Sequence, residues 1–414
     1  MAASGPDFDQ GRPAIIALAS NEWHTPWWMA RQHLYSRLAA RGWPVVYSTG
    51  PQDVWLRNET KWQKANWLSR CERIHAPVSI QSKGGGIWLD RPGKLLPRYR
   101  KFGALDVLAV QRFQARLKRI ARSISDGPGI AHVWHPKFWP IAKGLNAKYV
   151  VFHIHDAYDL GPGWCEEWKN SLEDLVQRAD LIITVAEHMA RRLPHNGGGR
   201  ARLLPHGVDV SAMMDGAEAP CPADLASIPQ PRIGYVGRVN PKIDFEGVAK
   251  AASMRPDWSW VFVGALGIGD SGSFEQSSRY RTAFEDLRRR PNVFFLGVKD
   301  RRDVPAYLNH MDVNALYYSG WGVTGHPTKL YEYLAAGKPI VATDYEGIRH
   351  FSSVIDLVTS SEEWIDAIER ALEHGGVGTV STRQALALES TWDKRCDQLE
   401  AWLIELASRT QAPA

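Results

Sequence analysis

Cysteine is scarce: the 414-residue chain has four, Cys71, Cys165, Cys221 and Cys396, and no two stand at CxxC spacing. Scattered thiols exclude a disulfide framework and a cysteine-type zinc site, and they fit a reducing cytoplasm. Long apolar runs are missing too. Ile15–Ala19 and Pro339–Ala342 are strand-sized, far short of the roughly 20 residues that span a bilayer. The opening stretch, MAASGPDFDQGRP, carries acidic residues and no apolar core. It reads as a disordered leader and not as a secretory signal. The loop after the first strand lacks GxGxxG, which argues against a dinucleotide-binding dehydrogenase. No periodic repeat or low-complexity tract is present.

What is there is unevenly spread. The net charge is +5, yet between Arg41 and Ile120 stand 16 Lys/Arg and 5 Asp/Glu. Many of the 18 tryptophans fall in the first 170 residues. A basic, Trp-rich face suits an anionic membrane surface, where Trp sits at headgroup level and Lys/Arg attract acidic lipid. The plainer alternative is a solvated basic surface around core tryptophans. Nucleic acid is not an expected partner.

Short apolar strands alternate with amphipathic helices along the whole chain, which predicts an α/β fold. Strands are expected at IIALA, PVVYST, VSIQS (Val78–Ser82), AHVW, KYVVFHI, DLIITV and ARLL. After residues 211–230, which are small, acidic and Pro-rich, the alternation restarts with RIGYV, WSWVFV, NVFFLG, VNALYY and PIVAT. The expected organisation is an N-terminal domain over 13–210, a linker over 211–230, a second domain over 231–390 and a C-terminal helical segment over 391–414 that crosses back to the first domain. Two α/β halves joined by a linker imply a cleft, a favoured place for ligands.

One late stretch, Gly325–Asp344, reads as loop, helix, glycine stop and buried strand. Pro327 suits the first helical turn. Lys329 and Glu332, three apart, lie on one helix face near an N-terminus that attracts anions. A diphosphate and a ribose would use such a set. An exposed Lys–Glu pair on a surface helix would look the same.

Four stretches in order then resemble one family: VVFHIHDAYD, RADLIITVAEHMARRL with RLLPHGVD, IGYVGRV, and GHPTKLYEYLAAGKPIVATD. The chain resembles GT-B fold glycosyltransferases, close to glycosyltransferase family 4 and its bacterial polysaccharide-assembly relatives. The resemblance implies two Rossmann-like domains and sugar transfer from a nucleotide-diphosphate sugar to a lipid-linked or polysaccharide acceptor. It implies donor-nucleotide roles for Glu332 on the ribose, Lys329 and Arg238 on the diphosphate, and Val298 and Lys299 at the base. Lys242 stands one residue from the family's expected lysine. His155 matches the histidine that contacts the donor hexose.

Departures matter as well. The first acid of the family's E-x7-E motif falls at Thr324, which leaves inversion or retention open. A base for the acceptor proton is then sought at Asp156 first and His24 second; a turn carboxylate is the structural alternative for Asp156. The only DxD is Asp7-Phe8-Asp9 in the leader, so the expectation is a reaction with no cofactor and no metal. Arg238, Lys329 and the helix start near His326 and Thr328 are expected to meet the leaving charge; an imidazole that caps the loop is the structural alternative for His326. Trp23, Trp27, Trp28 and Trp321 are candidate sugar platforms, with core packing as the alternative. The expected location is cytoplasmic, peripheral on the inner face of the membrane. A nucleotide-sugar-binding module without turnover is the non-enzyme alternative.

Overall fold

A computed structural model describes residues 12–25, 28–58, 60–74, 85–95, 97–160, 164–267 and 278–408. The chain forms two compact units. Among the described residues the first unit holds 12–155, 164–204 and 395–408, and the second holds 156–160 and 205–394.

The first unit is built on eight strands: β1 (Ala14–Leu18), β2 (Pro44–Ser48), β3 (Arg70–Ile74), β4 (Gly86–Arg91), β5 (Pro128–Val133), β6 (Tyr149–Ile154), β7 (Leu181–Thr184) and β8 (Ala201–Leu203). Their order in the sheet is β3-β4-β2-β1-β5-β6-β7-β8, and every pair except β3/β4 is parallel. Helices cover both faces of such a sheet, so its central strands are apolar without alternation. All five residues of β1 are fully buried. β3 (RCERI) is the exception: an antiparallel edge strand, exposed and charged. Its polar sequence hides it from a periodicity search, and the charges guard a free sheet edge. The strand expected at Val78–Ser82 lies outside the described residues.

The second unit carries β9 (Arg232–Val236), β10 (Ser259–Val263), β11 (Val293–Gly297), β12 (Val313–Leu316), β13 (Ile340–Thr343) and β14 (Asp356–Val358). The order is β11-β10-β9-β12-β13-β14, all parallel.

Residues 211–230 are not a free linker. Met213, Leu225 and Ile228 are buried in the second unit's core, and Arg232 Nε donates to the Ile228 carbonyl at 2.9 Å. Three apolar anchors hold a stretch whose small, Pro-rich composition reads as a connector, so the division falls at 204/205. The last helix, Trp392–Ser408, starts in the second unit and joins the first from Arg395. There Glu400 accepts from Trp43 Nε1 and Arg41, each at 2.9 Å, and pairs with Arg12.

Candidate functional sites at two switch points

In an open parallel sheet, neighbouring strands whose crossovers leave in opposite directions open a crevice at their carboxyl ends. In the second unit that point lies between β9 and β12. Gly237 follows β9 with φ +145°, a conformation that favours glycine, and a Cβ there would collide with the Lys329 side chain. Tyr317 and Tyr318 follow β12.

Lys329, on the helix Thr328–Ala336, reaches into this crevice. Its Nζ donates to Tyr235 Oη at 2.7 Å and Tyr318 Oη at 2.8 Å. It also lies 4.5 Å and 5.2 Å from the two ring centres. Lys329 thus sits in a cage of two phenol hydroxyls and their ring faces. Burial acts upward on the Tyr318 phenol, but Lys329 and then Lys242 outweigh it and hold the group below the ordinary tyrosine value.

Glu332 is half-buried one turn on. Burial raises its carboxyl; Lys329 and then Arg301 pull it down, with a net rise. Arg301 pairs with Asp209 at 2.6 Å and so ties the loop after β11 to this helix's surroundings. Arg238 is half-buried directly after Gly237, and Lys242 Nζ lies 3.5 Å from Asp156 Oδ2. Arg238, Lys242, Lys329, Glu332 and Asp156 therefore all belong to one unit.

Other expected donor-site residues are placed differently. His326 is buried, its Nδ1 against the Gly347 carbonyl at 2.9 Å and its Nε2 against Tyr331 Oη at 2.7 Å. A carbonyl only accepts, so Nδ1 carries the proton and Nε2 accepts from the tyrosine. Both ring nitrogens are taken by the protein, and His326 braces the loop instead of meeting a phosphate. Lys299 Nζ pairs with Asp224 at 2.5 Å and packs on Tyr307, which turns it into a structural tie. Val298 is 57% exposed beyond β11. Thr328 opens its helix, and Pro327 takes the N-cap position just outside it. Thr324 is half-buried at the end of the short helix Gly320–Thr324.

The first unit has its own switch point, between β1 and β5. Asn21 follows β1, Trp134 follows β5 and His155 follows β6. Arg31, in the first turn of the helix Ala30–Ala40, donates to Asn21 Oδ1 and to His155 Nε2. Arginine only donates, so this imidazole accepts at Nε2 and is neutral. Behind it, Trp134 stacks on His153 at 3.9 Å and on His132 at 5.2 Å. Burial pushes His132 down to about 3, so that ring is neutral. His24 is exposed on the loop after β1. Trp23 is buried against Tyr47, 5.1 Å between ring centres, and serves packing; Trp28 is half-buried, 6.0 Å from Trp23. Trp27 and the Trp321 side chain lie outside the described residues.

Sequence reasoning missed Arg31, Tyr235, Tyr318 and Arg301. The tyrosines were visible only as apolar strand residues; their value comes from the strand order, which sequence does not carry.

Two family profiles divide the chain: glycosyltransferase family 4 matches residues 32–212, and glycosyl transferases group 1 matches residues 226–385. The chain belongs to the group 1/family 4 glycosyltransferases. A relative in this family is the glycosyltransferase TuaH of Bacillus subtilis (strain 168), named for teichuronic acid biosynthesis, 27% identical over 229 residues. The match covers 53% of this chain and 55% of TuaH, so the chain spans about half the length of that curated relative. Solved structures confirm the GT-B fold. Sucrose-phosphate synthase from Thermosynechococcus elongatus matches with TM-score 0.69 and 17% identity, over 96% of this chain and 100% of that one. Anabaena HepE, in complex with UDP and glucose, matches with TM-score 0.66 and 16% identity, over 95% of this chain and 99% of that one.

This family member also has an apolar surface in its first unit. Trp67 and Leu68 are 70% and 67% exposed and Leu95 64%. They form one knob, because Leu95 N donates to the Trp67 carbonyl at 3.1 Å. Nearby in sequence, exposed Trp55 and Phe102 stack at 6.5 Å, with Lys101 Nζ 4.4 Å over the Trp55 ring. Among the described residues no helix is long and apolar enough to cross a membrane.

Proposed function

We propose that this chain transfers a sugar from a nucleotide-diphosphate sugar to a lipid-linked or polysaccharide acceptor in cell-surface polysaccharide assembly. The observation that carries the reading is Lys329, held at the β9/β12 switch point by two neutral phenols. Breaking the glycosidic bond to a diphosphate loads negative charge onto the leaving oxygens. Lys329 offers a fixed cation there, with Arg238 and Lys242 on the adjoining loop and the helix start at Thr328 adding partial positive charge. These groups stabilise the leaving diphosphate without a metal. Glu332, one turn along, is set to accept from the ribose hydroxyls, and the Val298 loop meets the base. Structures of HepE hold UDP and UDP-glucose, which supports a nucleotide-sugar donor for this chain as well.

Asp156 is the base that takes the acceptor proton in this reading, and His155, neutral, orients the sugar. The chain works at the inner face of a membrane: the exposed knob of Trp67, Leu68 and Leu95 enters the interface while surrounding lysines and arginines meet acidic lipid. Four cysteines without a disulfide fit that compartment.

Calorimetry with UDP is the direct test. Binding that weakens on Glu332→Ala supports the donor site; absence of UDP binding to the wild-type chain would remove its basis. Thr324, where the family's first carboxylate is missing, favours one second reading, a binding module without turnover. Tight UDP-sugar binding with neither transfer nor hydrolysis across donor and acceptor panels would select it.

A further inference from the structure

Arg31 is 2% exposed, yet no carboxylate pairs with it among the described residues. Its partners are an amide oxygen (Asn21), an imidazole nitrogen (His155), the neutral phenol of Tyr47 and the face of Trp134, 5.2 Å from the guanidinium carbon. Its Nε is buried with no acceptor among the described residues. The other buried arginines among the described residues are satisfied differently. Arg232, 8% exposed, donates to the carbonyls of Ile228 and Ala226 at 2.9 Å and 3.3 Å, and half-buried Arg116 and Arg98 face Asp90 and Asp106 at 2.9 Å and 2.6 Å. Arg383, 1% exposed, donates to the carbonyls of Val354, Gly337, Gly375 and Val377 at 2.7–3.2 Å. Arg383 is what a structural buried arginine looks like; Arg31 is not.

A buried guanidinium with an unmet donor and no counter-charge is costly, and an arriving anion offsets that cost. Arg31 stands at the β1/β5 switch point, where parallel sheets bind ligands. Its planar fork suits a two-oxygen partner. The donor diphosphate has its own cations in the second unit, so the anion for Arg31 comes from elsewhere.

We propose that Arg31 is the centre of an acceptor-side oxyanion site in the first unit, which takes a carboxylate or phosphate group carried by the acceptor. The inference deepens the glycosyl-transfer reading and rests on it for the word acceptor; the anion site itself stands on Arg31. Asn21 and His155, which each hold one terminal nitrogen, then serve as positioning residues that aim the guanidinium.

The test uses the full chain saturated with UDP, titrated calorimetrically in two arms. One compares methyl glucuronide with methyl glucoside, the other farnesyl phosphate with farnesol. The expected result is a preference of at least tenfold for the anion in one arm, which identifies a uronic acid or a lipid phosphate as the source. Arg31→Gln removes that preference, Arg31→Lys keeps part of it, and UDP affinity stays unchanged in both. Repeating the anion arms without UDP decides the question independently of the donor site. Thermal melting supplies the second readout: ligand-free Arg31→Gln melts no lower than wild type, whereas Arg383→Gln melts lower. No anion preference in either arm, an undiminished preference in Arg31→Gln, or a melting loss matching Arg383→Gln each overturns the proposal.

Discussion

Lys242 Nζ stands 3.5 Å from Asp156 Oδ2, so the cation proposed for the donor phosphates and the carboxylate proposed as base face each other. A diphosphate drawn to Lys242 competes for it with Asp156, and donor binding would release the carboxylate to take a proton. Asp156→Asn should therefore leave UDP affinity unchanged or tighten it by no more than about fivefold, the scale of an exposed ion pair. Transfer should fall by about 10²- to 10⁴-fold, as for loss of a general base. Calorimetry and a UDP-release assay read the two effects separately; normal transfer by Asp156→Asn would exclude it as the base.

Removing the caged cation should act on donor binding and on a phenol at once. Lys329→Met is expected to weaken UDP binding by roughly 10- to 100-fold, the worth of a charged hydrogen bond. Burial raises the Tyr318 phenol while Lys329 and Lys242 lower it, so in the variant this phenol titrates at higher pH. Tyrosinate absorbance during an alkaline titration checks this, and an unchanged curve would count against the cage.

Glu332 makes a pH prediction with a definite sign. Its folded-state carboxyl lies above the ordinary value, burial first and Lys329 and Arg301 opposing. Between the ordinary and the raised value the folded chain holds a proton that the unfolded chain has lost. Stability from this group therefore declines as pH rises through that window and is lowest above it. Glu332→Gln, neutral in both states, should melt higher than wild type at pH 7 without ligand, with the gap closing in acid. The same variant should bind UDP more weakly by about tenfold, the worth of one hydrogen bond to a charged group.

Membrane binding should depend on the knob in the first unit. Trp67→Ser with Leu68→Ser removes two exposed apolar side chains, each worth about 1.5–3 kcal/mol when buried. Sedimentation with anionic vesicles should show at least a tenfold loss of binding, and wild-type binding should fall with salt. Equal binding by the variant would place the contact elsewhere.

The parts of this chain legible from sequence are those where one local pattern dominates. IIALA and IVAT are apolar through and through because both sheet faces are covered, and Gly337 at φ +74° ends its helix as its position suggests. Lys329 and Glu332 stand out because helix spacing alone puts them together. The rest depends on neighbours distant in sequence. RCERI reads as loop until β4 pairs with it, and Met213, Leu225 and Ile228 read as linker until a core surrounds them. Arg31 looks like any helix residue; that it is buried beside His155, 124 positions away, follows from the strand order.

The helix Trp392–Ser408 has a consequence for synthesis on the ribosome. Arg12, Arg41 and Trp43 all converge on Glu400, and Cys396 fills the space beside Leu34. The first unit's core therefore stays open at one edge until this helix has been made, although its eight strands are complete by Leu203. Domains usually mature in the order they emerge; here the first unit waits for a segment made after the second, and a shortened transcript ending at residue 204 encodes an unfinished object.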